Sequence, residues 1–176
     1  MLLIPHQDSW VDDFKRIKEI FLQHLSGLDI EVEHIGSTAV PDLPAKAIID
    51  IDIIYERSEA FEIIKKRLED LGYVHHDDQD IKGREVFKLK GSEDDHIVLN
   101  SIRHHLYVCH VDNEELQRHL IFRDFLRENQ LERKQYEQLK QQIALKQNQD
   151  HKAYARLKES VAREFIDGII MRAKEN

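Results

Sequence analysis

The chain has 176 residues, 34 of them acidic and 26 basic, for a net charge of −8 and a pI near 5.8. This length suits one domain, or one domain with a helical extension, and the acidic balance excludes a broad electrostatic footprint for DNA or RNA. One cysteine, Cys109, excludes an internal disulfide framework, and no apolar run approaches the ~20 residues of a membrane span. The first residues, Met1 to His6, carry no basic stretch of the kind that opens a signal peptide. The expectation is a soluble, cytoplasmic protein with neither nucleic acid nor membrane as partner.

Apolar residues at Trp10, Val11, Phe14, Ile17, Ile20, Phe21 and Leu25 recur at spacings of three and four. They predict a first helix over 8–25 that stops at Ser26-Gly27. Residues 30–35 alternate Ile30, Val32 and His34 against Glu31, Glu33 and Ile35, which predicts a strand ended by Gly36. Ser37 or Thr38 can cap a brief helical turn, and Pro41 and Pro44 keep it short. The run Ile48 to Ile54 is strongly β-prone, with Ile49, Ile51 and Ile53 as the buried parity and Asp50 and Asp52 on the other. Ser58 is the expected cap of a helix over 59–71 with the stripe Phe61, Ile64, Leu68 and Leu71, and Gly72 ends it.

Residues 75–80 read as a polar loop, 84–90 as a strand and 91–95 as a turn. Residues 96–111 read as β-prone throughout, one or two strands with Leu106 and Val108 pointing inward. Asp112 or Asn113 then caps a helix carrying Leu116, Leu120, Phe122, Phe125 and Leu126, with Glu114 and Glu115 well placed in its first turn. Asn129-Gln130 breaks it before a helix over 131–147, and a last helix carries Tyr154, Leu157, Val161, Phe165, Ile166, Ile169 and Ile170. The expected class is α+β: a small mixed sheet with helices over 1–111, and a helical portion over 112–176 packed on it.

The chemistry concentrates between residues 33 and 54. Alternate strand positions put Asp50 and Asp52 on one face, about 7 Å apart along the chain. Two carboxylates so close repel each other and require a cation or a basic group, so a divalent metal site is the first expectation. Beside them, Gly36 lets backbone approach an anion, and Ser37 adds a hydroxyl to the N–H groups of the following turn. His34 reads as a core histidine bonded to backbone. His104, His105, Cys109 and His110 do not form a standard zinc spacing, because alternation sets 105 with 109 and 104 with 110. Arg84, Arg103 and Arg123 could bind phosphates, but a surface ion pair is the commoner fate of any one arginine.

The run His34-Ile35-Gly36-Ser37-Thr38-Ala39-Val40-Pro41, then Leu43-Pro44-Ala45-Lys46 and Ile48-Ile49-Asp50-Ile51-Asp52, resembles the signature of the GrpB family (UPF0157). That family belongs to the nucleotidyltransferase superfamily of the DNA polymerase β type. The similarity continues through Gly83-Arg84 before Phe87, His105-Leu106-Tyr107-Val108, Arg118-His119-Leu120, Phe122-Arg123-Asp124, and Tyr154 with Lys158 and Phe165-Ile166. The resemblance implies a nucleotidyltransferase-like sheet in which Gly36, Ser37 and Lys46 hold the phosphates of a nucleoside triphosphate. It further implies that Asp50 and Asp52 are the catalytic, Mg²⁺-binding pair, with His34, Arg84, His105 and Tyr107 lining the site and an acceptor still to be identified.

The sequence departs from the family pattern at three places. Asp42 replaces a glycine, Ala47 a proline and Tyr107 a histidine; Asp42 would weaken anion binding unless its carboxylate points away. No carboxylate occurs on the strand at 105–107, where active superfamily members usually carry a third. Three functions therefore stand as expectations. The first is a Mg²⁺-dependent nucleotidyltransferase-like enzyme. The second is an inactive nucleotide- or phosphometabolite-binding module, linked to coenzyme A metabolism through relatives fused to dephospho-CoA kinase. The third is an interaction protein whose last two helices form the partner surface.

Overall fold

A seven-residue run of alternating isoleucines needs apolar cover on one face, and the chain supplies it with helices on either side in sequence. In the computed structural model, which describes residues 2–79, 81–91, 96–146, 157 and 163–172, this run is strand β2, Ile49–Tyr55. Around it lie α1 (Ser9–His24), β1 (Ile30–Ile35), a 3₁₀ turn (Ser37–Ala39), α2 (Ala60–Asp70), β3 (Tyr73–His75) and β4 (Arg84–Leu89). The order continues with α3 (Ile97–Ser101), β5 (His104–His110), α4 (Glu114–Glu128) and α5 (Gln130–Lys146). Residues 163–172 are helical.

The five strands form one mixed sheet in the order β1-β2-β5-β4-β3, parallel between β2 and β5 and antiparallel elsewhere. The register makes the two faces unequal. One face carries Ile49, Ile51, Ile53, Leu106, Val108 and Phe87, which pack with Ile17 and Phe21 of α1 and Ile64 and Leu68 of α2 in the main core. Phe21 is completely buried, and each such side chain contributes about 1.5–3 kcal/mol by leaving water. The other face carries Asp50 and Asp52, with Ile35 and His105 beside Asp50 and Glu33 and Tyr107 beside Asp52. This second face is met by α4, and a separate cluster of Val40, Leu43, Leu126, Tyr136 and Ile169 packs the 40–44 connector against the C-terminal helices.

Four expectations change. Val11 is exposed rather than part of the α1 stripe. Residues 73–75 pair with β4 as a strand, where a loop is expected from residue 75; Tyr73 alone is buried, too short a signal for period-two reading. Residues 97–101 are helical, not extended: the His96 ring accepts a hydrogen bond from the Val98 N–H, and only Leu99 needs burial. This local cap and one-sided burial override β propensity. Glu59, not Ser58, caps α2, and without a side-chain bond. The Asn113 cap on α4 is as expected, its side chain accepting from the Leu116 N–H at 3.0 Å. Tyr154 and Val161 lie outside the described residues.

No helix among the described residues is long and apolar enough to cross a membrane.

Arg123 ties α4 to β1. Its buried guanidinium donates to the Glu33 carboxylate, the His34 carbonyl and Asp124. Removing it leaves a buried carbonyl and a carboxylate without their donor, so Arg123→Ala is expected to cost roughly 2–4 kcal/mol in urea denaturation. A loss within error of zero would show that this tie does not stabilise the packing.

Candidate functional site

At Gly36 the chain leaves β1 with φ of +72°, in the region that favours glycine. A Cβ there would lie 2.4 Å from Asp50 Oδ2, so the Asp50 carboxylate sits against the bare α-carbon. The turn that follows is pinned from beneath. Thr38 Oγ1 donates to the Ile48 carbonyl at 3.2 Å, which spends its only proton, so at 3.0 Å it accepts from His34 Nε2. His34 also stacks on Phe14, and burial lowers its pKa to about 4, keeping it neutral. It acts as a prop for the turn.

Each aspartate on β2 has a histidine partner. His105 Nδ1 lies 2.9 Å from Asp50 Oδ1, and His119 Nδ1 lies 2.9 Å from Asp52 Oδ2. His119 comes from α4, one helical turn after Glu115, whose Oε1 is 3.5 Å from His119 Nε2. Burial disfavours the imidazolium, but the bonds to Asp52 and Glu115 outweigh it and hold the pKa at about 9. The bond to His119 likewise holds the Glu115 carboxyl below its usual range. At neutral pH a cation is thus sandwiched between two carboxylates. Asp52 is fully buried, and its Oδ1 has no hydrogen-bond partner among the described residues.

A cavity of about 630 Å³ opens over this group. Of the residues expected from sequence, Gly36, Ser37, Lys46, Asp50, Arg84, His105 and Tyr107 line it. Two do not. His34 points to the opposite face by strand alternation, which corrects its expected place in the lining, and Asp52 lies behind the wall. Tyr107 carries the Arg84 guanidinium over its ring at 4.8 Å, and burial raises its hydroxyl pKa. Asp42 takes φ of +63°, the conformation a glycine would provide, and its largely exposed carboxylate turns to Arg133. It points away from the cavity.

Sequence reading missed Glu115, Arg118, His119, Lys140 and Arg163, all in the lining. The i,i+4 pairing of Glu115 and His119 was available as a signal. Which face of α4 meets the sheet was not. The candidate zinc residues diverge: His104 bonds Tyr73, and His110 bonds the Glu56 carbonyl.

The donor set can be tested against Mg²⁺. Among the described residues no three His, Cys, Asp or Glu groups converge as a cation cage. Mg²⁺, however, typically takes one or two carboxylates and fills its shell with water and substrate phosphate. An unpartnered, buried carboxylate oxygen on Asp52, beside a second carboxylate on the same face, fits that mode.

A protein-family model described as GrpB protein matches residues 1–168. The chain belongs to the GrpB family. The glutamate-rich protein GrpB of Alkalihalophilus pseudofirmus is 31% identical over 172 residues, covering 97% of this chain and 94% of that one. The UPF0157 protein YqkA of Bacillus subtilis is 32% identical over 142 residues, but this chain spans only 39% of its length. The crystal structure of the conserved protein GrpB from Enterococcus faecalis superposes with a TM-score of 0.77 at 31% identity, covering 97% of this chain and 96% of that chain. Beyond the family, the Cid1 poly(U) polymerase shares the fold of 70% of this chain and 36% of its own, with a TM-score of 0.50 at 14% identity. The fold of this GrpB family member is therefore nucleotidyltransferase-like, α+β with a five-stranded mixed sheet flanked by helices.

Gly36→Ala forces a side chain into the left-handed region and onto the Asp50 carboxylate; thermal unfolding is expected to show a loss of roughly 1–3 kcal/mol. A second expectation concerns pH. In the cation-free protein, the raised His119 pKa means the folded state binds more protons than the unfolded state between pH 6.5 and about 9. The stabilisation is complete below 6.5 and is lost as pH rises through 9, about 3 kcal/mol in all. Denaturation midpoints across that window should fall in the wild type and fall less in His119→Gln.

Proposed function

We propose that the cavity binds a nucleoside triphosphate together with Mg²⁺ and that the protein is a nucleotidyltransferase-like enzyme. The observation that carries this reading is the seating of the Asp50 carboxylate against Gly36, beside Ser37, at the wall of a cavity that also presents Lys46, Arg84, Arg118, Lys140 and Arg163. Among the described residues, the lining sets five permanent cations against two carboxylates, Asp50 and Glu115. That positive excess suits an anionic occupant even with Arg118 paired to Asp167 and Lys140 bonded to the Pro44 carbonyl. The shared fold adds support, since one structure of Cid1 with a TM-score of 0.50 is described as bound to MgATP.

In this reading Ser37 and the N–H groups of the 3₁₀ turn bind phosphate, with Lys46 and Arg84 balancing its charge. Asp50 and Asp52 would hold the divalent cation, which when bound neutralises phosphate charge and polarises the phosphoryl group. His105 and His119 each fix one oxygen of their aspartate and so orient the other. The transfer itself joins an acceptor oxygen to the α-phosphorus and releases pyrophosphate. A buried Cys109 thiol, its pKa raised by burial, is unreactive and suits the reducing cytoplasm, where we place the protein.

One observation favours a second reading. The strand position beside Asp52 on β5 is Tyr107, so the sheet offers no third carboxylate there, and the site could bind a nucleotide or another phosphorylated metabolite without turnover.

Thermal unfolding with ATP, GTP, CTP and UTP, each with and without Mg²⁺, tests both. At a ligand concentration a hundredfold above Kd the stabilisation is about 2.7 kcal/mol. It should require Mg²⁺ and disappear in Asp50→Asn/Asp52→Asn. Indifference to all four nucleotides sinks the enzyme reading and nucleotide binding alike, and pyrophosphate release with candidate acceptors separates enzyme from binder.

A further inference from the structure

Helix α4 meets β1 through Arg123, β2 through His119 and β5 through Leu116 and Leu120, which pack with Cys109 and Tyr107. Beside β4 and the start of β5 lies a second cavity of about 500 Å³. Its walls come from β4, β5 and α3. Three of the lining side chains, Arg84, Lys88 and Arg103, are permanent cations, and among the described residues no carboxylate lines it. This is the reverse of the chain's overall balance.

The two cavities are joined. Gln79, Arg84, His105 and Tyr107 belong to the lining of both, so the two cavities meet along these four side chains. Asp50 and Ser37 line only the first, Lys88 and Arg103 only the second. Arg84 Nε is buried and has no acceptor among the described residues, so the guanidinium at the junction keeps a donor for an oxyanion.

We propose that the second cavity is the acceptor subsite and that the acceptor is a small phosphate monoester bearing a hydroxyl. The proposal rests on the nucleotide reading of the first cavity. The phosphate of the acceptor lies against Lys88 and Arg103, and its hydroxyl reaches through the junction of the two cavities, past the shared side chains, to the α-phosphate in the first. The hydroxyl oxygen bonds to the α-phosphorus as the α–β phosphoanhydride bond breaks. Pyrophosphate departs with the bonding electrons, and the hydroxyl proton passes to solvent. Holding both reactants in adjoining cavities supplies the orientation that a two-substrate transfer needs.

The apolar members of the second cavity, Val86, Phe87, Leu89, Leu99, Ile102 and Leu106, limit how far a polar ligand can spread and match a small carbon skeleton.

The test uses glycerol 3-phosphate as the probe, titrated into the ¹⁵N-labelled full chain at constant ionic strength. Saturable amide shifts are expected at residues 84–89 and 99–106. Lys88→Glu/Arg103→Glu, both exposed positions, should weaken that binding at least tenfold and leave Mg²⁺–ATP affinity within twofold. Shifts that are absent, confined to residues 36–38, or undiminished in the double variant would overturn the subsite. Mg²⁺–ATP binding without glycerol 3-phosphate binding overturns this proposal alone. Glycerol 3-phosphate binding without nucleotide binding supports the phosphate site and brings down the nucleotide reading instead.

Discussion

Two carboxylates on one face of a central strand cannot be left uncompensated, and much of the architecture answers that constraint. Asp50 and Asp52 project from β2 toward a face where β5 brings His105 and α4 brings His119. Gly36 yields the space that the Asp50 carboxylate occupies. Removing charge from water inside a protein is costly unless a partner of opposite sign is supplied; the His119 imidazolium supplies it for the buried Asp52, and the His105 ring hydrogen-bonds Asp50. The result is a site whose acidic groups are already half satisfied, with one buried carboxylate oxygen still unpartnered.

Helix α4 closes the arrangement. Asn113 caps its start, Glu115 and His119 face the β2 carboxylates, and Arg123 two turns further fastens it to β1. A single helix thus couples packing to the electrostatics of the cavity. Its inner face mixes the two kinds of contact, with Leu116 and Leu126 buried beside Arg123, while the opposite side of the sheet is a core of Ile, Leu, Val and Phe. Both cavities are more basic than the −8 chain as a whole: among the described residues, the first sets five permanent cations against Asp50 and Glu115, and the second has three with no carboxylate.

The departures from the family pattern have physical readings. Asp42 keeps the left-handed backbone conformation of the glycine it replaces, since Asp tolerates that region better than most residues, and its carboxylate leaves the cavity for Arg133. Tyr107 gives the β4–β5 wall a broad ring for Arg84 to lie on instead of a second imidazole.

The sequence by itself determined the strands with long, clean alternation, β1 and β2, and the placement of Asp50 and Asp52 on one face. It also determined the Gly36-Ser37 turn and the Asn113 cap, because strand parity, positive φ and capping are local properties. Only the tertiary structure decided what neutralises the aspartates. His119 is 67 residues from Asp52 in the chain, and no periodicity states which face of α4 will meet the sheet. The short β3 and α3 were illegible for a related reason: three or five residues carry too little pattern, and their conformations were settled by pairing with β4 and by the His96 cap. The same holds for the cavities, whose walls join residues that only the register of β4, β5 and the helices brings together.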